Sequence, residues 1–464
     1  MPSALRVDEI QQGCHPLAWL KHFYNRPYPA LLESARAGCP LGRYSILCWE
    51  PLERLTCRSD GIEVLTCETG ERRKEHGDPF SLLSREFESH RRDLPEGVDL
   101  PFAGGAVGFF SYDLRHHVES LPRLCDYDLS IPAFILCFYD RGLVFDHCQD
   151  RTCYVGPVES EPPAPVDFPG DGGDRKSPPT LPRETQLKSS FAPDEYRAAV
   201  QRVKDYIAAG DIFQANLSQR FEGPAPADGL TLYERLRAIN PAPFAAYLRY
   251  PECEVISSSP ERFLELQDEV VITRPIKGTR PRVEGDEEYN RRMREELLSS
   301  EKDHAELAMI VDLERNDLGR VCSYGSVQVE EHAALEAYQT VYHLVSTVRG
   351  QLYRRNHDEF DLIRATFPGG SITGAPKIRA MEIIEELEPH ARNIYTGAIG
   401  YISFHGRMDL NIVIRTIIRA QGRVYAQVGG GIVADSDPDE EYRETLTKGK
   451  ALFEALGARE YPRA

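Results

Sequence analysis

A chain of 464 residues is too long for one ordinary core, so a large composite fold is expected. Apolar residues make up 41% of it and charged residues 28%, the balance of a globular protein rather than a disordered one. The formal charge of -18 argues against a nucleic-acid-binding face and repels anionic ligands, so any anion site needs local cations. The N-terminal MPSALRVDEIQQGCHPLAWL has no basic run ahead of an apolar stretch, and no later segment is long and apolar enough to span a bilayer, so a cytoplasmic protein is expected. The eleven cysteines form no CxxC pair, and Cys148 and Cys153 lack the second pair that a zinc site needs. Reduced, buried, structural thiols follow.

Residues 1–154 read as a β-rich region: strand-like runs YSILCWE, GIEVLTC and AFILCFYD alternate with turn residues and the Gly-rich GGAVGFFSYDL. Residues 155–190, rich in Pro, Gly and charge, read as a linker or loop, and 191–464 form the second region. There, Tyr196, Val200, Val203 and Ile207 make one helical stripe that Gly210 stops. In IFQANLSQRF, alternation puts Phe213, Ala215, Leu217 and Phe221 on one strand face and Gln214, Asn216, Ser218 and Arg220 on the other. Such a polar face is either solvated or lines a cavity.

The segment CEVISSSPERFLELQDEVVITRPIKGTRPR reads as a hairpin turning at Asp268-Glu269. Its register makes residue numbers sum to about 537 or 538, which sets Glu261 opposite Lys277 or one residue away. The pair is a surface ion pair or, with Pro275 and Gly278 marking a strand end, a site where a lysine nucleophile meets a carboxyl. Two acidic helices follow. Ser300 can cap one with Asp303 and Glu306 on a shared face; Asp437 can cap the other, with Pro438 first in the helix and Glu441 and Glu444 at the same spacing. Four carboxylates without tight lysine partners are solvated helix faces or a Mg²⁺ site. FPGGSITGAPK leads into a helix near Pro376 but lacks the Lys-Ser/Thr of a nucleotide loop. Residues 396–436 read as three long antiparallel strands turning near His405-Gly406 and Gln421-Gly422, and Gly429 to Gly431 are either a bulge or a place where backbone amides meet a carboxylate.

These motifs, with NPAPFAAYL, AELAMIVDLERNDLGRV, YHLVS, NIVIRT and VGGGIVADSDPDEEYRET, resemble in order those of the chorismate-utilising family, which includes anthranilate, isochorismate, salicylate and aminodeoxychorismate synthases. The resemblance covers nearly the whole chain and is looser before the linker, where LLESA (Leu31 to Ala35) carries it. It implies an α+β fold with large antiparallel β-sheets in a sandwich-like core and helices packed outside. It also implies chemistry. Gln214 stands where the water-adding members have a lysine base, which points to an ammonia-using enzyme. Lys277 in PIKGT, where anthranilate synthases have alanine, and Ser371 point to amination of chorismate at C4, on the route to 4-aminobenzoate and folate; an anthranilate synthase large subunit is the alternative.

By the same resemblance, Glu306 and Glu444, with Asp303 and Glu441 nearby, hold Mg²⁺. Tyr395, Arg415, Lys448 and the amides of Gly429, Gly430 and Gly431 bind substrate beside Gln214 and Ser371. Lys277 attacks the ring, and Glu261, assisted by His343, protonates the leaving hydroxyl. Glu33 and Ser34 correspond to a pocket that holds tryptophan in some members. No cysteine lies in a Gly-x-Cys-x-Gly elbow. Ammonia would thus come from a separate glutamine amidotransferase subunit, and a separate aminodeoxychorismate lyase would act downstream.

Overall fold

The computed structural model describes residues 4–13, 15–35, 41–166, 178–182, 185–337 and 341–460. Its centre is a pair of twelve-stranded sheets, antiparallel throughout their ladders. Between them lies an apolar layer that includes Ile46, Phe109, Ile135, Val144, Leu248, Ile399 and Ile418. The outer face of one sheet packs under helices Pro193–Ala209, Gly229–Ile239, Lys377–Leu387 and Pro438–Ala455, through Val203, Leu236, Ile383 and Phe453. The other packs under Pro79–Glu88, Glu301–Gly319 and Glu359–Thr366, through Phe87, Val311 and Ile363. This is the expected sandwich with helices outside: a sheet apolar on both faces needs cover on both. It explains why YSILC and FILCFY read as unbroken apolar runs, since Phe134–Tyr139 is buried at every position.

Segments 1–154 and 191–464 each contribute strands to both sheets; Ala30–Glu33 pairs with Phe244–Arg249, and Gly105–Phe110 with Ala398–Ser403. The stretch expected to link them is partly ordered: Arg151–Pro157 runs into it, Lys188–Ser189 extends a sheet edge, and Thr185–Gln186 pairs with Ala458–Glu460. Residues 167–177 and 183–184 of that stretch lie outside the described residues. Among the described residues, no helix is long and apolar enough to cross a membrane. Cys48, Cys57, Cys137, Cys153 and Cys253 are buried free thiols, whereas Cys148 is exposed, contrary to expectation, because it lies in the turn that follows the strand Gly142–Asp146. Cys14 and Cys39 lie outside the described residues.

Three expectations need correction. Phe213 is 70% exposed, because the strand begins only at Gln214. The C-terminal meander has four strands, not three: Ala398–Ser403 and Met408–Ile412 belong to one sheet, Thr416–Ala420 and Arg423–Ile432 to the other. The chain changes sheet at Arg415, whose φ of 51° breaks the extended run. Finally, the hairpin turns at Asp268 and Glu269, both at positive φ, with Glu265 facing Ile272, a sum of 265 + 272 = 537 as expected. It does not continue to Glu261 and Lys277. Pro275 has no N–H for the ladder, and Ile276–Pro281 leaves to pair with Val341–Gln351.

Candidate active site

The sheet edge at Gln214–Pro224 sets the site. Gln214, Asn216, Ser218 and Arg220 are all buried, so the polar face lines the interior. Asn216 pairs with Gly431, Leu217 with Gly430 and Ser218 with Gly429 in unbroken register, so the three glycines are regular strand and not a bulge. Side chains crowd them from both faces. A Cβ on Gly430 would lie 3.2 Å from Glu441 Oε2, 3.4 Å from Glu444 Oε1 and 3.7 Å from Lys448 Nζ. A Cβ on Gly431 would collide with Gln214 Nε2 and lie 3.5 Å from Lys277 Nζ. Glycine is required here by close approach, not by φ. Gln214 Oε1 and Asn216 Oδ1 are buried without hydrogen-bond partners. Orphaned acceptors beside bare backbone fit a site that receives a polar ligand.

Both acidic helices are capped as expected: the Ser300 hydroxyl accepts from Asp303 N–H, and Asp437 accepts from the N–H groups of Asp439 and Glu440. Glu306 Oε2 stands 3.8 Å from Lys277 Nζ, and Glu306 Oε1 4.0 Å from Lys302 Nζ. Asp303 is 3.4 Å from Arg280 Nη2 and abuts Gly278. The expectation that all four carboxylates lack tight cationic partners fails at Glu444, which pairs with Lys448 at 2.5 Å because an i,i+4 spacing puts the two side by side. Burial works against ionisation of Glu444, yet Lys448, Lys302 and Lys277 together hold its carboxyl below the usual range. Burial pushes Glu441 up, although the Ser436 hydroxyl donates to it at 2.6 Å.

Among the described residues, no three carboxylates stand close enough to hold a metal ion as placed. The donor chemistry nonetheless fits a hard divalent ion: Glu306, Glu441 and Glu444 offer only oxygen, and lysine ammoniums stand where its charge would act.

Glu261 is buried, accepts a hydrogen bond from the Ser371 hydroxyl at 2.8 Å and from the Ile276 N–H, and feels the charges of Lys277 and Lys448. Desolvation dominates and raises its pKa above the ordinary carboxylate value. Glu261 and Lys277 thus meet through space rather than across a ladder. Gly278, at φ 66°, makes a bulge after Lys277, and His343 follows on the partner strand. His343 Nδ1 lies 3.0 Å from Thr279 Oγ1 and 3.3 Å from the Gly278 carbonyl.

Lys277, Glu306, Gln214, Gly430, Gly431, Glu441, Glu444, Lys448, Glu261 and Ser371 therefore converge. Tyr395 is buried beside Arg392, whose guanidinium lies over its ring. Arg415 sits at the sheet crossing with no carboxylate partner among the described residues, and burial alone lowers its pKa. Glu33 and Ser34 belong elsewhere. Glu33 borders a cavity of about 380 Å³ between the sheets, and its carboxylate is held by Arg237 at 2.9 Å and the Tyr233 hydroxyl at 2.5 Å. Ser34 Oγ is buried without a partner. Sequence reasoning missed Lys302 and Ser436; Lys302 carried a signal, standing four residues before Glu306 on one helix.

A lysine stands among carboxylates against a glycine strand, beside buried acceptors without partners, the arrangement of a site that takes a polar ligand. The chain belongs to the chorismate binding enzyme family, whose model matches residues 42–454. It is 41% identical to the aminodeoxychorismate synthase component 1 of Salmonella typhimurium, over 93% of this chain and 93% of that protein. It is 40% identical to the anthranilate synthase component 1 of Thermus thermophilus, over 95% and 94%. The crystal structure of anthranilate synthase component I from Streptococcus pneumoniae TIGR4 matches it with a TM-score of 0.76 at 32% identity, covering 90% of this chain and 93% of that one.

Proposed function

We propose that this enzyme aminates chorismate at C4, giving 4-amino-4-deoxychorismate for 4-aminobenzoate and folate synthesis, with ammonia supplied by a separate glutamine amidotransferase subunit. Identities of 41% and 40% to proteins named for the two amination reactions do not choose between them. The observation that carries the choice is Lys277, whose amine lies among Glu306, Gln214 and Gly431.

The neutral amine of Lys277 attacks the electron-poor ring carbon while Glu261 gives a proton to the departing 4-hydroxyl, which leaves as water. A carboxyl raised by burial retains that proton nearer neutral pH. His343 steadies the Lys277 turn through Thr279 and Gly278. Ammonia, admitted beside Gln214, then attacks C4 and displaces the lysine. Mg²⁺, held by Glu306 and Glu444 with Glu441 and Asp303 beside them, would offset the negative charge of the ring carboxylate. Arg415, with no carboxylate partner among the described residues, suits the enolpyruvyl carboxylate, together with Tyr395, Lys448 and the Gly429 to Gly431 amides. A separate lyase would release pyruvate. The protein is assigned to the cytoplasm, and Glu33 and Ser34 to a tryptophan pocket.

Product analysis tests the reading. The purified chain with chorismate, Mg²⁺ and ammonium is expected to yield 4-amino-4-deoxychorismate; anthranilate as the main product would establish the alternative.

A further inference from the structure

The strand Gln214–Pro224 is paired along one side by Arg423–Ile432. On the other side, Gly374–Ala375 covers Gln214 and Ala215, and Lys188–Ser189 covers Phe221 and Glu222. Between these two short strands the edge has no strand beside it among the described residues, so its buried N–H and C=O groups need other partners. The Thr373 carbonyl takes the Asn216 N–H at 2.8 Å. Two side chains do the rest. Glu388 Oε1 accepts from the Ser218 N–H at 2.8 Å, and Arg392 Nη2 donates to the Asn216 carbonyl at 2.6 Å. Both side chains are buried, four residues apart, and they join each other at 2.7 and 2.9 Å. A carboxylate and a guanidinium thus stand where a neighbouring strand would offer its carbonyl and its N–H.

Arg392 also reaches beyond that edge. Its Nη1 donates to the Ile372 carbonyl at 2.9 Å, next to Ser371, and to Thr396 Oγ1 at 3.3 Å, next to Tyr395. All five of its N–H donors are engaged. Thr396 stands at φ 60° and Asn393 at φ 53°. A β-branched residue rarely adopts that conformation, so the turn that presents Tyr395 needs a hold from outside itself. We propose that Arg392 is a positioning residue for chorismate: it fixes the strand of Gln214, the loop of Ser371 and the turn of Tyr395 in one mutual register. This rests on the reading of those three residues as substrate-binding.

The test uses two variants of the full chain. Arg392→Lys keeps the charge, but an ammonium has three donors in place of a planar fork of five and cannot serve strand, loop and turn together. Arg392→Met combined with Glu388→Gln removes the buried charges as a pair, which costs less stability than removing either alone. With Mg²⁺ and ammonium, KM for chorismate is expected to rise at least about tenfold in both, by more than kcat falls. A residue that only stabilised the fold would lower kcat with the amount of folded enzyme and leave KM unchanged. Ser371→Ala is expected to raise KM less in the Arg392→Lys background than in the parent, because both changes act through one loop. A parental KM in a folded variant, independent effects of Arg392→Lys and Ser371→Ala, or loss of folding in both variants would overturn the proposal. KM is read from the consumption of chorismate, so anthranilate as the product would change the functional reading and leave this test intact.

Discussion

Lys277 Nζ stands 3.8 Å from Glu306 Oε2, an ion pair too long to be a good hydrogen bond. Glu306 is approached from its other oxygen by Lys302 at 4.0 Å, so its charge is divided between two loosely held ammoniums. A lysine held this way is free to turn toward a ring carbon, and a carboxylate held this way is free to accept a metal ion. Glu444, by contrast, is bound to Lys448 at 2.5 Å and would have to exchange that partner for the metal.

Magnesium dependence is the first consequence. Excess chelator is expected to stop turnover, and Glu306→Ala or Glu444→Ala to lower kcat/KM at least about 100-fold, with melting temperatures near the parental value. Undiminished turnover in excess chelator would refute the metal assignment.

The glycine strand gives a second. In Gly431→Ala the new methyl meets Gln214 Nε2 and comes within 3.5 Å of Lys277 Nζ, so the site must deform. Overpacking of this kind costs about 1–3 kcal/mol. Activity is expected to fall more than stability, because the neighbours that move are the ones placed to react. Gly430→Ala meets Glu441 and Glu444 only at 3.2 and 3.4 Å, through the ends of flexible side chains, and is expected to be milder. Equal activity losses in the two variants, measured as kcat/KM with ammonium, would contradict this.

Local rules made much of this legible before the fold was known. Gly210 at φ 84° ends its helix, Ser300 and Asp437 cap theirs, and the hairpin register came out as counted from its turn. What failed depended on distant partners. Nothing near Pro275 tells the chain that Val341–Gln351 will take over the ladder, and the alternation around Arg415 is the same whichever sheet receives the next strand. The polar face of Gln214–Pro224 was plain, but its burial is decided by the opposing layers. Of the site, the carboxylates and Lys277 were readable as motifs. Their ion pairs were readable only where helical spacing fixed them, as for Glu444 with Lys448.

Stability should report on Glu314, which shares a helix with Asp303 and Glu306 and whose carboxyl is pushed up by burial. A carboxyl raised to about 8 in the folded chain stabilises it while protonated. That contribution is complete below the ordinary glutamate value of about 4.3 and is lost as pH rises toward 8. Chemical denaturation near pH 5 and above pH 8 is expected to show a smaller loss in Glu314→Gln than in the parent. Identical losses would mean that Glu314 ionises normally.

Glutamine is expected not to replace ammonium as nitrogen donor for the purified chain, since no cysteine stands in an amidotransferase elbow. Glutamine-dependent product formation without a partner subunit would contradict this.

The central claim is that Lys277 bonds to the substrate. Intact-protein and peptide mass spectrometry of the enzyme with chorismate and Mg²⁺, but without ammonia, tests it most directly. An adduct is expected on Lys277 and absent from Lys277→Ala, together with loss of C4 amination in that variant. An unmodified Lys277, with a Lys277→Ala enzyme that still forms 4-amino-4-deoxychorismate at the parental rate, would contradict it and leave the lysine as no more than the ion-pair partner of Glu306.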